Sequence, residues 1–162
     1  MIFVSVGSQK FQFDRLLEKL DALLEEGIIQ DEIMAQIGVS QYVPRHYQYQ
    51  PFMDREEFAR QVDACSVMIT HGGTGAIIGA VKKGKKVIAV PRLAKYGEHV
   101  DDHQLQLIHQ FDDLNLICPC YDLEDLGDCC RKIGTMEFKA YVSNTGRIID
   151  SIEDYLAGLK TK

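Results

Sequence analysis

Several features are missing from this 162-residue chain, and each omission removes a class of answer. No apolar run approaches the ~20 residues that a membrane-spanning helix needs. The first residues, Met1 to Gly7, carry no basic segment and soon meet Gln9, Lys10 and Asp14, so they do not read as a signal peptide. The expectation is a cytoplasmic protein. Basic residues are in deficit, 18 against 24 acidic ones, and the formal charge of −6 offers no face for nucleic acid. No low-complexity block suggests disorder. The five cysteines are odd in number, and Cys65, Cys118-Pro119-Cys120 and Cys129-Cys130 form neither paired C-x-x-C knuckles nor a secretory disulfide ladder. Reduced, buried thiols are expected. The first glycine loop, Gly7-Ser8-Gln9, departs from G-x-G-x-x-G, and no acidic residue marks the following strand, which argues against a dinucleotide-dependent oxidoreductase.

What remains has the size and composition of an ordinary globular protein, with 46% hydrophobic and 26% charged residues, and is expected to form one domain over residues 1–162. Short β-branched or apolar runs at 2–6, 33–38, 47–52, 67–70, 87–90 and 116–118 read as strands. Between them lie helical stripes. Phe13, Leu16, Leu17, Leu20, Leu23 and Leu24 share one face and Gly27 closes that helix; Asp54 with Glu57 three residues on predicts an N-cap for a helix through Ala64. Further helices are expected after Gly75, over 101–111, over 122–133 and from about residue 144 to Leu159. Lys82, Lys83, Lys85 and Lys86 sit where a helix dipole is negative and read as a solvated cap. Strands alternating with helices predict a doubly wound, Rossmann-like α/β fold with a parallel sheet covered on both faces.

The stretch Val67-Met-Ile-Thr-His-Gly-Gly-Thr-Gly-Ala-Ile-Ile-Gly79 stands out. A buried strand running through glycines into a helix leaves unpaired N–H groups and the positive end of a helix dipole aimed at one spot, which favours an anion. Gly72, Gly73 and Gly75 let backbone approach a phosphate, Thr74 offers a hydroxyl and His71 a titratable donor. The alternative is a tight turn with no ligand. In a doubly wound sheet, ligands sit beyond the carboxyl ends of the strands, so the loops 7–11, 71–75 and 92–104 are expected to converge. The last is dense in groups suited to hydroxyls and phosphates: Arg92, Lys95, Glu98, Asp101, Asp102, His103 and Gln104. Asp101 is expected to cap the next helix, while His103 and Gln104 face the crevice. His99 and His103 are four apart, but the segment around Gly97 is not expected to be helical, so no metal site is read there.

Taken together, Val6-Gly-Ser-Gln9, Thr70-His-Gly-Gly-Thr-Gly75 and Val90-Pro-Arg92 leading to Asp102-His-Gln104 resemble the nucleotide-sugar-binding half of GT-B glycosyltransferases. Within these the chain is most similar to the small subunits of bipartite UDP-sugar transferases, which include the cytosolic UDP-N-acetylglucosamine transferase subunit of dolichol-linked glycan assembly and bacterial counterparts from capsule and exopolysaccharide synthesis. The resemblance implies that Gly7 and Ser8 approach the donor diphosphate, that Phe52 lies beside the uracil, that His71, Gly72, Gly73, Thr74 and Gly75 form the phosphate turn, and that His103 and Gln104 read the transferred sugar. Many relatives carry a glutamate for the ribose hydroxyls where this chain has Gly79, and Glu98 is the candidate replacement.

The resemblance also implies a UDP-sugar as donor substrate, no separate cofactor and no metal. It implies a membrane-associated partner subunit that binds a lipid-linked acceptor and recruits this chain to the inner face of the membrane. A stripe of Ile148, Ile152, Tyr155 and Leu159 is one docking face to consider, with ordinary core packing as its alternative. In an enzyme subunit Arg92 or His71 would aid the helix terminus in stabilising the departing diphosphate, and the base would be His103, Asp102, Asp14 or a partner residue. The competing reading is a non-catalytic nucleotide-sugar-binding module that regulates or enhances another transferase.

Overall fold

The computed structural model describes residues 1–6, 11–99 and 101–140. Six strands, β1 (Ile2–Ser5), β2 (Ile33–Gln36), β3 (Gln48–Gln50), β4 (Val67–Thr70), β5 (Lys86–Ala89) and β6 (Cys118–Pro119), form one sheet in the order β3-β2-β1-β4-β5-β6. Every pairing is parallel. The chain therefore builds outward from β1 in one direction, returns, and builds outward from β4 in the other. The reversal between β1 and β4 opens a crevice at the carboxyl ends of those two strands, where doubly wound sheets place their ligands.

The helices are α1 (Asp14–Glu25), α2 (Arg55–Ala64), α3 (Thr74–Lys82), α4 (His103–Asp113) and α5 (Leu126–Lys132). Alternation along the strands divides the core into two layers. Val4, Ile69 and Ile88 pack on one face with Leu16, Leu17 and Leu20 of α1 and Leu126 of α5. Phe3, Met68 and Val87 point to the other face, against Val62 of α2, Ile77 and Ala80 of α3, and Ile108 and Phe111 of α4. Each of the Val, Leu, Ile, Phe and Met side chains among them, withdrawn fully from water, contributes about 1.5–3 kcal/mol.

The ends of the helices follow their local chemistry. Asp54 Oδ1 accepts the Glu57 N–H at 2.8 Å and starts α2, as its spacing predicts. Gly27 and Gly84, just past α1 and α3, take φ of +74° and +72°, the left-handed turn that lets the chain leave a helix at little cost. The helix expected over 122–133 is shorter. Asp122 accepts the Glu124 N–H at 2.9 Å, which tightens Leu123–Asp125 into a 3-10 turn, and Ile133–Thr135 closes in a second. The helix expected from about residue 144 to Leu159, with its Ile148, Ile152, Tyr155 and Leu159 stripe, lies outside the described residues. Among the described residues no helix is long and apolar enough to cross a membrane.

Candidate functional site

The site is built on the turn from β4 into α3. Thr70 Oγ1 donates to the Ser5 carbonyl at 2.9 Å, which locks the ends of β4 and β1 together across the switch point. After it, Gly73 is the N-cap of α3 and no side chain caps the helix, so the amides of its first turn face outward. The two glycines before α3 are sterically required. A Cβ on Gly72 would stand 2.6 Å from Gln104 Cβ, and one on Gly73 would stand 2.3 Å from Cε1 of His71. Gly75 and Gly79 differ: a Cβ at either would meet nothing within 4 Å. Space beside Gly75 is therefore open to something other than this chain.

Beneath the turn lies a set of buried polar groups without partners among the described residues. Arg92 is 0% exposed; its Nη2 donates to the Val6 carbonyl, while Nε and Nη1 meet no acceptor. Burial pushes its pKa down to about 10 against the pull of Glu98, so it remains a cation at neutral pH. The guanidinium carbon also lies 5.5 Å from the Phe13 ring centroid, within cation–π range. His71 is 5% exposed; burial pushes its pKa down to about 3, the charge of Arg92 adding to the effect and the Gln104 amide opposing it. It is a neutral imidazole with an unpartnered Nδ1. Thr74, 9% exposed, leaves Oγ1 unpartnered in the first turn of α3. An unsatisfied buried polar group costs about 1–3 kcal/mol. Several at one helix terminus have the chemistry of an anion site, since a single anion would satisfy them together.

A cleft of about 440 Å³ adjoins this turn. Ser5 and Gln36 line it from the strand ends, His71, Gly73, Gly75 and Ala76 from the turn and α3, and Phe52, Met53, Arg55 and Phe58 from the β3–α2 side. Phe52 is 52% exposed at its mouth. Gln36 Oε1 accepts the Met53 N–H at 2.9 Å and fixes that wall. Of this wall, sequence reasoning singled out only Phe52. Arg55 carried a signal: a cation in the first turn of a helix opposes the dipole, so its presence beside the Asp54 cap calls for another explanation.

The loop from Arg92 to Gln104 differs most from expectation, because its polar side chains hold the loop itself. Glu98, expected to replace the missing ribose carboxylate, is buried and accepts a two-pronged bond from Arg15 at 3.0 Å on each oxygen, with the Leu93 N–H at 3.1 Å. It is a brace between the loop and α1. Gln104, expected to read sugar hydroxyls, is buried and its Oε1 accepts the N–H groups of Gly72 at 3.3 Å and Arg92 at 3.2 Å. It is a strut that joins the two phosphate-side loops.

The candidate bases are arranged unequally. Asp102 Oδ1 accepts the Ala94 N–H, and Asp14 Oδ1 accepts the N–H groups of Gln41 and Tyr42, so both carboxylates hold backbone. Asp101 Oδ1 accepts the His103 N–H at 3.1 Å, but the N-cap of α4 is Asp102 rather than Asp101, and no side chain caps that helix. The His103 ring is largely buried, and its Nδ1 lies 3.5 Å from Asp101 Oδ2. Exposed Lys95 places its ammonium 5.0 Å from the Tyr96 ring centroid. Gly7 and Ser8 lie outside the described residues. Among the described residues no group of three metal-ligating side chains is present.

Solved structures share this architecture. Crystal structures of the glycotransferase of kitacinnamycin (13% identity, TM-score 0.61, 93% of this chain and 37% of that one) and of Acinetobacter baumannii MurG (18%, 0.62, 95% and 49%) match it. So does the solution structure of ALG13 (18%, 0.58, 90% and 91%). The chain thus spans less than half the length of the first two and nearly all of the third, and at these identities the likeness is one of fold. No curated protein sequence matches it. The sequence pattern of one family does, from residue 1 to residue 146, covering the sheet, the α3 turn and the loop beneath it, and on that match the chain belongs to the glycosyltransferase family 28 C-terminal domains.

Proposed function

We propose that the chain is the donor-binding subunit of a UDP-sugar-dependent glycosyltransferase. The observation that carries this is the uncapped start of α3 set over the unpartnered atoms of His71, Thr74 and Arg92, at the strand-order reversal of a family 28 domain. A pyrophosphate there would receive the first-turn amides, the Thr74 hydroxyl and the Arg92 charge at once. The adjoining cleft, with Phe52 at its mouth, suits a flat base and ribose, and Arg55 rather than Glu98 is the described charged side chain lining it.

In the transfer step an acceptor oxygen bonds to the anomeric carbon, the bond from that carbon to the phosphate oxygen breaks, and its electron pair passes to the diphosphate. Charge grows where α3 and Arg92 are already oriented, so stabilisation increases toward the transition state without reorganisation. No metal or separate cofactor enters this scheme. The acceptor proton goes to His103 or to a partner residue, since Asp14 and Asp102 hold backbone. We assign the acceptor, a lipid-linked glycan intermediate of polysaccharide synthesis, to a membrane-associated partner. Exposed Val39, Val43, Phe52 and Tyr96, on loops at the carboxyl edge of the sheet, support a second lobe closing there.

The test is calorimetric titration with UDP, and with UDP-glucose, UDP-galactose and their N-acetyl forms, followed by UDP release once the partner is supplied. Saturable binding abolished by Gly73→Asp and sugar transfer with the partner are expected. Absence of UDP binding ends the proposal; binding without transfer in the presence of the partner identifies a regulatory nucleotide-sugar module instead.

A further inference from the structure

The two sources of positive charge at the anion site stand on separate loops. The opening amides of α3 belong to the turn after β4, and the buried Arg92 guanidinium belongs to the loop after β5. An anion that meets both needs them at a fixed separation, and an error of about 1 Å is enough to loosen a site with several contacts. Gln104, in the first turn of α4, spans the gap. Its Oε1 accepts the Gly72 N–H at 3.3 Å and the Arg92 N–H at 3.2 Å. An amide oxygen has two lone pairs, so backbone uses both and neither is left for a sugar hydroxyl. The side chain is 5% exposed, and water does not compete for these bonds.

Packing closes the same joint. A Cβ on Gly72 would lie 2.6 Å from Gln104 Cβ and 2.9 Å from its carbonyl oxygen, so the turn rests directly on the start of α4. Arg92 is held at both ends, its amide by Gln104 and its Nη2 by the Val6 carbonyl just past β1. Its neighbours are tied elsewhere: Glu98 bonds the Leu93 N–H and Arg15, and Asp102 bonds the Ala94 N–H. Those contacts fix the loop to α1 and α4; Gln104 fixes it to the turn.

Resting on the donor-site reading above, we propose that Gln104 is a positioning residue for the diphosphate: it sets the separation between Arg92 and the opening amides of α3, and so governs nucleotide affinity without reading the sugar. Without its oxygen the two loops shift independently, and apparent affinity falls with the fraction of molecules that hold the competent arrangement.

Gln104→Met tests this, because it keeps the length and the packing against Gly72 while removing the acceptor. Calorimetric titrations with UDP and with UDP-N-acetylglucosamine should show both affinities lowered about tenfold, with their ratio within about twofold of wild type and the number of sites unchanged. In proton–nitrogen spectra of the free variant, the Gly72 and Arg92 amide protons should move upfield, as amides that lose an acceptor do. In an Arg92→Gln background the same substitution should cost only about twofold, since the group it positions is already gone. The first two readouts do not depend on that background.

Four results overturn the proposal and leave the donor site standing. Affinity for the sugar nucleotide that falls while that for UDP holds makes Gln104 a sugar reader. Fewer sites at unchanged affinity make it a folding residue. Unmoved amide protons deny the joint, and equal losses in both backgrounds separate it from Arg92. Wild-type protein that binds neither nucleotide overturns the donor reading itself.

Discussion

Two buried polar clusters in this molecule contain similar groups and are arranged in opposite ways. Asp21, 2% exposed on α1, receives the Tyr42 hydroxyl at 2.6 Å, the Arg45 N–H at 2.8 Å and the His46 N–H at 3.0 Å. Burial alone would raise its pKa, and these hydrogen bonds, with the nearby His46, overcome that and bring it below the ordinary carboxylate value. The cluster at the α3 turn has a buried cation, a buried imidazole and a buried hydroxyl, and leaves atoms of each unpartnered among the described residues. The first cluster completes itself and holds the loop after β2 to α1. The second leaves hydrogen-bonding groups open, which the proposed pyrophosphate would complete. Burial and charge are common to both; hydrogen-bond satisfaction separates structure from function.

Substitutions should divide along the same line. The largest effect is expected from Gly73→Asp: its Cβ would stand 2.3 Å from the His71 ring and its carboxylate would occupy the anion's place, so UDP binding should disappear in a calorimetric titration. Next, Asp21→Ala strands three donors and should lower unfolding free energy by about 3 kcal/mol in urea melts. UDP affinity of the folded fraction should remain within about twofold, since Asp21 is remote from the turn in contacts and charge. Thr74→Val sharpens the comparison most. It replaces an unpartnered hydroxyl by a methyl of similar shape, so the free protein should be as stable as wild type or slightly more so, while UDP affinity falls about tenfold. A matching loss of stability would place Thr74 with Asp21 among the structural groups.

The smallest effect is in the pH dependence of stability. Both Asp21 and His71 have folded-state pKa values below their ordinary ones, so the unfolded chain binds more protons at each, and each makes stability fall as pH falls. The His71 contribution begins below about pH 6.5, the ordinary imidazole value, and runs toward about 3. That of Asp21 is complete above about pH 4 and is lost below it. Chemical melts from about pH 7 to about pH 5 should therefore show a slope that His71→Gln removes and Asp21→Asn leaves.

Much of this was legible in the sequence where residues act through their neighbours. The strand runs at Ile2, Ile33, Val67 and Val87, the Asp54 cap and the glycine turn before α3 all depend on contacts within a few residues, and these elements sit within a residue or two of their expected positions. The edges were harder to read. β6 is only Cys118–Pro119, in part because Pro119 has no N–H to extend a ladder. The site loop was the least legible. The partner of Glu98 is Arg15, 83 residues away, and that of Gln104 is the backbone of Gly72 and Arg92, so residue types suited to sugar hydroxyls turned out to brace the loop. The Arg55 side of the cleft depends on how α2 lies against the sheet, which no local spacing reveals.

The central claim is that a pyrophosphate completes the hydrogen bonding of the α3 turn. It is tested most directly by a crystal structure of the protein with UDP bound. The β-phosphate oxygens are expected within 3.5 Å, the usual hydrogen-bond limit, or about that, of the first-turn amides of α3 and the Thr74 hydroxyl, with an Arg92 nitrogen turned toward them. Diphosphate density elsewhere, with Thr74 Oγ1 and the Arg92 guanidinium still unpartnered, would contradict it.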